Sequence, residues 1–356
     1  MPLDLSTEPA APKEVDPRDA GGPRQPMLIV RDLTKHFPVK GLLRRSAVHA
    51  ADGVSFDVVK GETLGIVAES GCGKSTTARL LIRLIETDSG TVIFDGQEVG
   101  TRAGISVRDM QRQVQMVFQD SYASLNPRLT LRDSIAFGLK VGGMSADDAK
   151  SRADETLALV GLNPDHFAQR FPHQLSGGQR QRVNIARALA MQPRLLILDE
   201  AVSALDKSIE AQILNLLQEL KERLALTYVF ISHDLNVVRY ISDRLLVMYL
   251  GKVVEVGPVG EVYRAPRHPY TKALLSSRPS MDPARRRSEP PLSGDPPSPI
   301  DPEPGCRFRA RCPLAEAMCG SDEPALALQG PGHHAACHAL IPGSGHSAAG
   351  AAPDGI

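Results

Sequence analysis

Apolar positions in this chain alternate between two patterns, and the alternation predicts the fold. Thr63-Leu64-Gly65-Ile66-Val67, Val114 to Phe118, Arg194-Leu195-Leu196-Ile197-Leu198, Tyr228-Val229-Phe230-Ile231 and Leu245 to Leu250 are short apolar runs of strand length, as expected of strands buried in a parallel sheet. Between them, apolar residues recur at helical spacing: Leu80, Leu81, Leu84 and Ile85; Val183, Ile185, Ala186, Leu189 and Ala190; and Ile213, Leu214, Leu217 and Leu220. Strands alternating with helices predict an α/β fold. Residues 27 to about 120 read as an antiparallel β portion with a hairpin turning at Asp95-Gly96, and residues from about 121 to 181 as mostly helical, with Ala146 to Val160 one amphipathic helix.

The chemistry sits where strands end. The strand Thr63 to Val67 runs into Ala68-Glu69-Ser70-Gly71-Cys72-Gly73-Lys74-Ser75-Thr76 and then a helix. This is a phosphate-binding loop in its required context: Gly71 and Gly73 let the backbone curl around a di- or triphosphate, Lys74 reaches the terminal phosphates, and the Ser75 hydroxyl suits Mg²⁺. The motif ordinarily opens with glycine, and Ala68 stands there; alanine costs roughly 1 kcal/mol if the position needs a positive φ and little in the β region. The strand Arg194 to Leu198 ends in Asp199-Glu200, placing two carboxylates at the carboxyl end of a parallel strand, where ligands of open α/β sheets gather. Asp199 suits the surroundings of Mg²⁺, and Glu200 suits the base that orients or deprotonates an attacking water. The strand Tyr228 to Ile231 delivers His233 to the same edge, as a contact to a γ-phosphate and the water. Gln119, after Val114 to Phe118, offers an amide for Mg²⁺ or water.

Leu175-Ser176-Gly177-Gly178-Gln179 is the least accidental stretch, expected by chance on the order of once per million positions. Two glycines at the mouth of a helix leave backbone N–H groups and the positive dipole end free for a phosphate.

In this order the segments resemble the nucleotide-binding subunit of ATP-binding cassette transporters. The resemblance makes Ala68 to Ser75 the phosphate loop, Gln119 the glutamine loop, Leu175 to Gln179 the signature, Leu198-Asp199-Glu200 the second Walker motif, Ser203-Ala204-Leu205-Asp206 the dimer loop and His233 the switch histidine. It implies ATP and Mg²⁺ as ligands. It also implies a head-to-tail pair of ATPase subunits, either copies or paralogues, with ATP between Lys74 of one and Ser176 of the other. Phe37 is the candidate for stacking on adenine, with His49 second. Lys35 to Arg45, Gln119 to Arg128 and Arg267-His268-Pro269-Tyr270-Thr271 resemble the oligopeptide/dipeptide importer ATPases of bacteria, over about Met27 to Leu340. That likeness implies two membrane-spanning permease subunits, an extracytoplasmic solute-binding protein reached indirectly, and a place at the cytoplasmic face of the inner membrane. Close relatives handling nickel or glutathione keep those solutes open, and Ala68 keeps open a weakly catalytic partner of a paralogue. Ala201 stands where the family has proline. One motif set without a heptad insert argues against cassette proteins of translation or DNA repair.

Composition agrees. The 356 residues exceed one average domain, and 42% hydrophobic content suffices for a core. A formal net charge of zero makes nucleic acid an unexpected partner. No apolar run approaches the 18 residues of a membrane span.

The domain reading is a disordered tail at 1–26, a nucleotide-binding domain at 27–265, a C-terminal module at 266–340 reached through a Pro-rich linker, Pro279 to Pro304, and a tail at 341–356. Cys306, Cys312, Cys319 and Cys337 are four of the five cysteines, and clustered thiols in a cytosolic protein suggest a metal or cluster. Their irregular gaps fit a 4Fe-4S cluster at least as well as zinc, which His333, His334 and His338 keep as the alternative. The importer resemblance implies the iron–sulfur cluster, in a module apart from the nucleotide site.

Overall fold

The computed structural model describes residues 18–22, 25–39, 46–277, 295 and 297–349. Strands β1 (Leu28–Val39), β2 (Ser46–Val58), β4 (Ser89–Phe94) and β5 (Gln97–Glu98) make an antiparallel sheet in the order β2-β1-β4-β5. The turn between β4 and β5 is Asp95-Gly96, both at positive φ (48° and 79°), the two-residue geometry that matches strand twist. The second sheet has eight strands in the order β11-β12-β10-β9-β3-β8-β7-β6. Five of its strands run parallel, out to the edge strand β6: β3 (Thr63–Val67), β6 (Val114–Val117), β7 (Leu195–Asp199), β8 (Thr227–Ile231) and β9 (Arg244–Tyr249). Strands β3, β7 and β8 are buried at every residue, which is why they read as unbroken apolar runs rather than alternating ones.

The helix Lys74–Leu81 follows β3, and Gly177–Ala190 precedes β7. Helices Leu131–Val141 and Ala146–Leu159 pack on each other and on Gly177–Ala190 to form the helical portion. Their starts are set by side-chain caps: Thr130 and Ser145 accept from the N–H groups of Asp133 and Asp148.

The ends of the chain depart from the sequence reading in four places. The expected tail 1–26 docks where it is described. Asp19 is ion-paired with Lys60 (2.6 Å), and the N–H of Ala20 donates to Asp95 (2.7 Å), whose carboxylate also meets Arg194 (2.8 Å). Most of the linker, including Arg285-Arg286-Arg287, lies outside the described residues, but its last part does not hang free. Ile300 bridges to Val48, the N–H of His49 donates to the carbonyl of Pro299 (3.0 Å) and that of Asp301 to the carbonyl of Ala47 (2.9 Å). Backbone pairing along the edge of β2, which apolar content cannot forecast, holds it there. The C-terminal module is joined to the core by more than a linker: β12 (His333–Ala335) pairs with β10 (Lys252–Pro258) and β11 (Ala327–Gly330) with β12, so it extends the central sheet. Residues assigned to the tail at 341–356 also pack, His346 being buried with its Nε2 2.8 Å from the carbonyl of Leu314. Among the described residues, no helix is long and apolar enough to cross a membrane.

Candidate nucleotide site

The turn after β3 brings the phosphate loop to the carboxyl edge of the parallel sheet. Gly73 has φ 94°, and a Cβ there would lie 1.8 Å from the carbonyl oxygen of Ala50, so the loop curls tightly against β2 only because this residue has no side chain. Ala68 is buried and is absent from the residues at positive φ, so the alanine brings no backbone strain. Lys74, buried, donates to the carbonyls of Ala68 (2.7 Å) and Glu69 (3.0 Å). Burial holds its ammonium below the ordinary lysine range. The Ser75 hydroxyl donates to Asp199 (3.0 Å), and burial, offset in part by that hydrogen bond, leaves the Asp199 carboxyl above its usual value.

Three strand ends converge on Glu200. The Gln119 amide donates to Glu200 Oε2 (2.9 Å), and His233 Nδ1 lies 3.4 Å from Oε1. The Glu200 side chain is 14% exposed and His233 54%, so the carboxylate is enclosed while the imidazole stands at the rim. Glu200 itself has φ 47°, held by its N–H donating to the carbonyl of Ile231 (2.9 Å) and by its carbonyl accepting from Ser203 N–H (3.2 Å) and Oγ (3.0 Å). With Gln119 donating through nitrogen, its amide oxygen is left as an acceptor. Hydroxyl, carboxylate and amide oxygens around Ser75, Asp199 and Gln119 are the hard donors that fit Mg²⁺.

Ser176 caps the helix Gly177–Ala190 and forms a capping box with Gln179, each side chain accepting from the other residue's N–H (3.3 and 3.0 Å). Gly178 lies so close to Ile209 that a Cβ would come within 2.5 Å of it, which seats the signature on the helix Lys207–Leu224. Among the described residues, no hydrogen bond joins the signature to the phosphate loop of the same chain. Phe37 lies in β1 opposite Val48, with the Lys35 ammonium 5.7 Å from its ring centre. The second adenine candidate, His49, is stacked on His36 with ring centres 3.7 Å apart.

Beside Gln119 a groove of about 1160 Å³ separates the sheet edge from the helical portion, lined by Gln119, Ser121, Asn126, Phe137 and Met191 among others. Phe137 is 61% exposed there, and Tyr122, between the lining residues Ser121 and Ala123, is 54% exposed.

The four cysteines of the C-terminal module are all unpaired thiols near one another. Burial, with Cys319 and Cys337 close by, pushes the Cys306 thiol up to about 11, and burial with the other three pushes Cys312 up to about 12. The N–H groups of Arg309 and Leu340 donate to the carbonyls of Cys306 and Cys337 (3.1 Å each), closing a tight turn after each of these two thiols. His333 and His338 are engaged elsewhere: His333 Nε2 lies 2.7 Å from the buried Glu255, and His338 Nε2 lies 2.9 Å from the carbonyl of Asp322.

The sequence reading missed the contacts between this module and the nucleotide site, and its picture of two separate modules is corrected. Arg311 reaches Glu69 in the phosphate loop (2.9 Å), and the Tyr270 hydroxyl accepts from the Glu69 N–H (3.0 Å). Tyr270 lies in a phrase singled out for its likeness to peptide importers, but no local pattern pairs residues 69 and 311.

Comparison with known proteins agrees with this architecture. The family model described as ABC transporter matches residues 51–203, and the one described as oligopeptide/dipeptide transporter, C-terminal region, matches residues 254–319. Over 322 residues the chain is 49% identical to the oligopeptide transport ATP-binding protein AppF of Bacillus subtilis, covering 88% of this chain and 98% of that protein. Among solved structures, cbiO1 of Clostridium perfringens, part of the ABC transporter complex cbiONQ, matches with a TM-score of 0.58 and 29% identity, over 67% of this chain and 91% of that one. The dimeric ATP-binding cassette MJ0796 bound to ADP and Pi matches with a TM-score of 0.57 and 31% identity, over 65% of this chain and 99% of that one. The phosphate loop, the Glu200 cluster and the signature helix are therefore parts of an ABC-type ATPase, and the chain belongs to the ATP-binding subunits of ABC transporters, in the branch that carries the oligopeptide/dipeptide transporter C-terminal region.

Proposed function

We propose that this chain hydrolyses ATP at the cytoplasmic face of the inner membrane to power import of oligopeptides or dipeptides through two permease subunits, supplied by an extracytoplasmic solute-binding protein. The observation that carries the catalytic part is the enclosure of Glu200 between Gln119 and His233. Glu200 accepts the proton of the attacking water, Gln119 orients that water, and His233 contacts the γ-phosphate. Ser70 to Thr76 cradle the phosphates with backbone N–H groups, and Lys74 balances their charge. Ser75, Asp199 and Gln119 would hold Mg²⁺, which neutralises charge developing on the phosphates. Phe37 stacks on adenine. Ser176, Gly177, Gly178 and Gln179 serve the ATP of the facing subunit, since this chain keeps them apart from its own phosphate loop. The peptide reading rests on the name of AppF and on the C-terminal region shared with such transporters. The unstrained Ala68 supports a phosphate loop able to hydrolyse ATP.

The permeases dock in the groove beside Gln119, where exposed Phe137 offers apolar contact next to a residue that senses the γ-phosphate. Cysteine crosslinks between Tyr122 to Arg128 and the permeases should form with efficiency that changes with nucleotide; their absence in every nucleotide state would sink this docking. Peptide-stimulated hydrolysis by the assembled transporter tests the substrate class, and stimulation by nickel or glutathione alone would redirect it.

Cys306, Cys312, Cys319 and Cys337 fit a 4Fe-4S cluster better than zinc. Four thiols at irregular spacing suit such a cluster, and two of the rival histidines are engaged, His333 by Glu255 and His338 by the carbonyl of Asp322. Among the described residues, the trio of ligand atoms close enough for one ion is His36, His49 and Asp52 instead of any three cysteines. Asp52 is already held by Arg307 and by Lys252 (3.5 Å), whose charges oppose a cation. A cluster would tie four segments of the module together. Protein purified without oxygen should be brown and contain iron; one zinc per chain and no iron would overturn the cluster and keep the ligand set.

A further inference from the structure

Glu69, one of the four positions of the phosphate loop that the nucleotide motif leaves unspecified, is gripped from outside the core. Its carboxylate accepts two hydrogen bonds from the Arg311 guanidinium, Nη1 to Oε2 at 2.9 Å and Nη2 to Oε1 at 3.2 Å, the fork-to-fork geometry that fixes both position and orientation. Its N–H donates to the Tyr270 hydroxyl, and its carbonyl accepts from Lys74 (3.0 Å). One residue thus joins the C-terminal module to the lysine that meets the phosphates.

Arg311 is set with little freedom. Its side chain is 6% exposed, and it ends the short turn Arg309–Arg311 between Cys306 and Cys312. Phe308, at the start of that turn, is buried against Tyr249 and Tyr270, ring centres 5.3 and 5.5 Å away. Arg311 Nη1 lies 3.4 Å from the Tyr249 hydroxyl. The same seven-residue stretch therefore carries two of the four thiols, the aromatic wedge and the guanidinium. Electrostatics gives the contact a direction. A bare Glu69 carboxylate beside a triphosphate repels it, and Arg311 cancels that charge while holding the loop.

We propose that Arg311 is a positioning residue for the phosphate loop, through which the four-cysteine module sets the affinity of this chain for ATP. The proposal rests on reading residues 68–75 as the phosphate site. Binding of a fluorescent ATP analogue with Mg²⁺ to the full chain tests it. Arg311→Ala should weaken binding roughly tenfold, and Arg311→Lys should recover part of the loss. Glu69→Gln should weaken binding less, because it removes the repulsive charge together with the clamp. The double variant, Glu69→Gln with Arg311→Ala, should bind more tightly than Arg311→Ala alone, an inversion that general loosening of the fold does not produce. In the assembled transporter the same single variant should raise KM for ATP and leave kcat near normal. Cys319→Ser, eight residues from Arg311, should weaken binding in the native background and add nothing to Arg311→Ala. Arg311→Ala within twofold of the native affinity, or a double variant as weak as that single one, overturns the proposal. Lys74→Ala guards the reading beneath it: if that variant binds as the native chain does, the site itself is misassigned. Should Arg311→Ala fail to fold by hydrogen exchange, Arg311→Lys against Glu69→Gln carries the same comparison.

Discussion

The nucleotide-binding core and the four-cysteine module solve the problem of placing side chains in opposite ways. In the core, five of the candidate residues follow the ends of parallel strands: Lys74 and Ser75 after β3, Gln119 after β6, Glu200 after β7 and His233 after β8. The sheet does the positioning, and the residues meet because adjacent parallel strands end together. The module has two short strands, and its order comes from particular contacts, Arg311 to Glu69, Phe308 against Tyr249 and Tyr270, and Glu255 to His333. A site built on a sheet is robust to the loss of one contact; one built on specific long-range pairs is exposed to each of them.

The largest effect is expected at Glu200. Glu200→Gln keeps the shape of the side chain but cannot accept a proton, so turnover in the assembled transporter should fall by about 10²–10⁴, with ATP binding retained. Near-normal turnover would remove the base from the core's strand-end set. The module should answer differently to an equally small change. Cys319→Ser should lower the unfolding midpoint on the order of 10 °C and raise hydrogen exchange in residues 300–349, if the four thiols bind a group that contributes folding energy. An unchanged midpoint and exchange pattern would leave the module as well anchored as the core without its thiols.

A finer probe is pH. His268 is wholly buried against Phe308, and burial lowers its pKa from 6.5 to about 4. Its Nδ1 accepts from the Tyr270 N–H (3.0 Å), so the neutral ring is the one that caps the helix Pro269–Ser276. Between pH 4 and 6.5 the unfolded chain binds this proton and the folded chain does not. Stability is therefore full above pH 6.5 and declines as pH falls toward 4, by up to about 3 kcal/mol. Denaturant midpoints at pH 7.5 and 5 should differ more in the native chain than in His268→Gln; equal differences would show that this histidine does not titrate on unfolding.

The same contrast explains what could be read before any coordinates. Strands β3, β7 and β8 and the turn at Asp95-Gly96 are local events, each written in fewer than ten neighbouring residues. The core was legible for that reason. The convergence of Gln119 and His233 on Glu200 followed from strand ends sharing an edge. The pairing of Arg311 with Glu69 spans 242 positions and leaves no periodic trace in either segment. The docking of Asp19 on Lys60 and of Ile300 beside Val48 was missed likewise, since charge pairing and edge hydrogen bonds can order segments too polar to bury. At Ala68 the loop motif leaves strain undecided, since alanine is costly at positive φ and harmless elsewhere, and the backbone angle is a property of the folded chain.

Glu200 stands at φ 47°, a conformation that a side chain with a Cβ resists by about 1 kcal/mol and that glycine adopts freely. Natural drift toward a sturdier fold would thus favour Glu200→Gly, a replacement that relaxes the backbone and erases the proton acceptor in one step. If Glu200 is the base proposed above, the carboxylate that hydrolysis needs stands on a backbone conformation that glycine would hold with less strain.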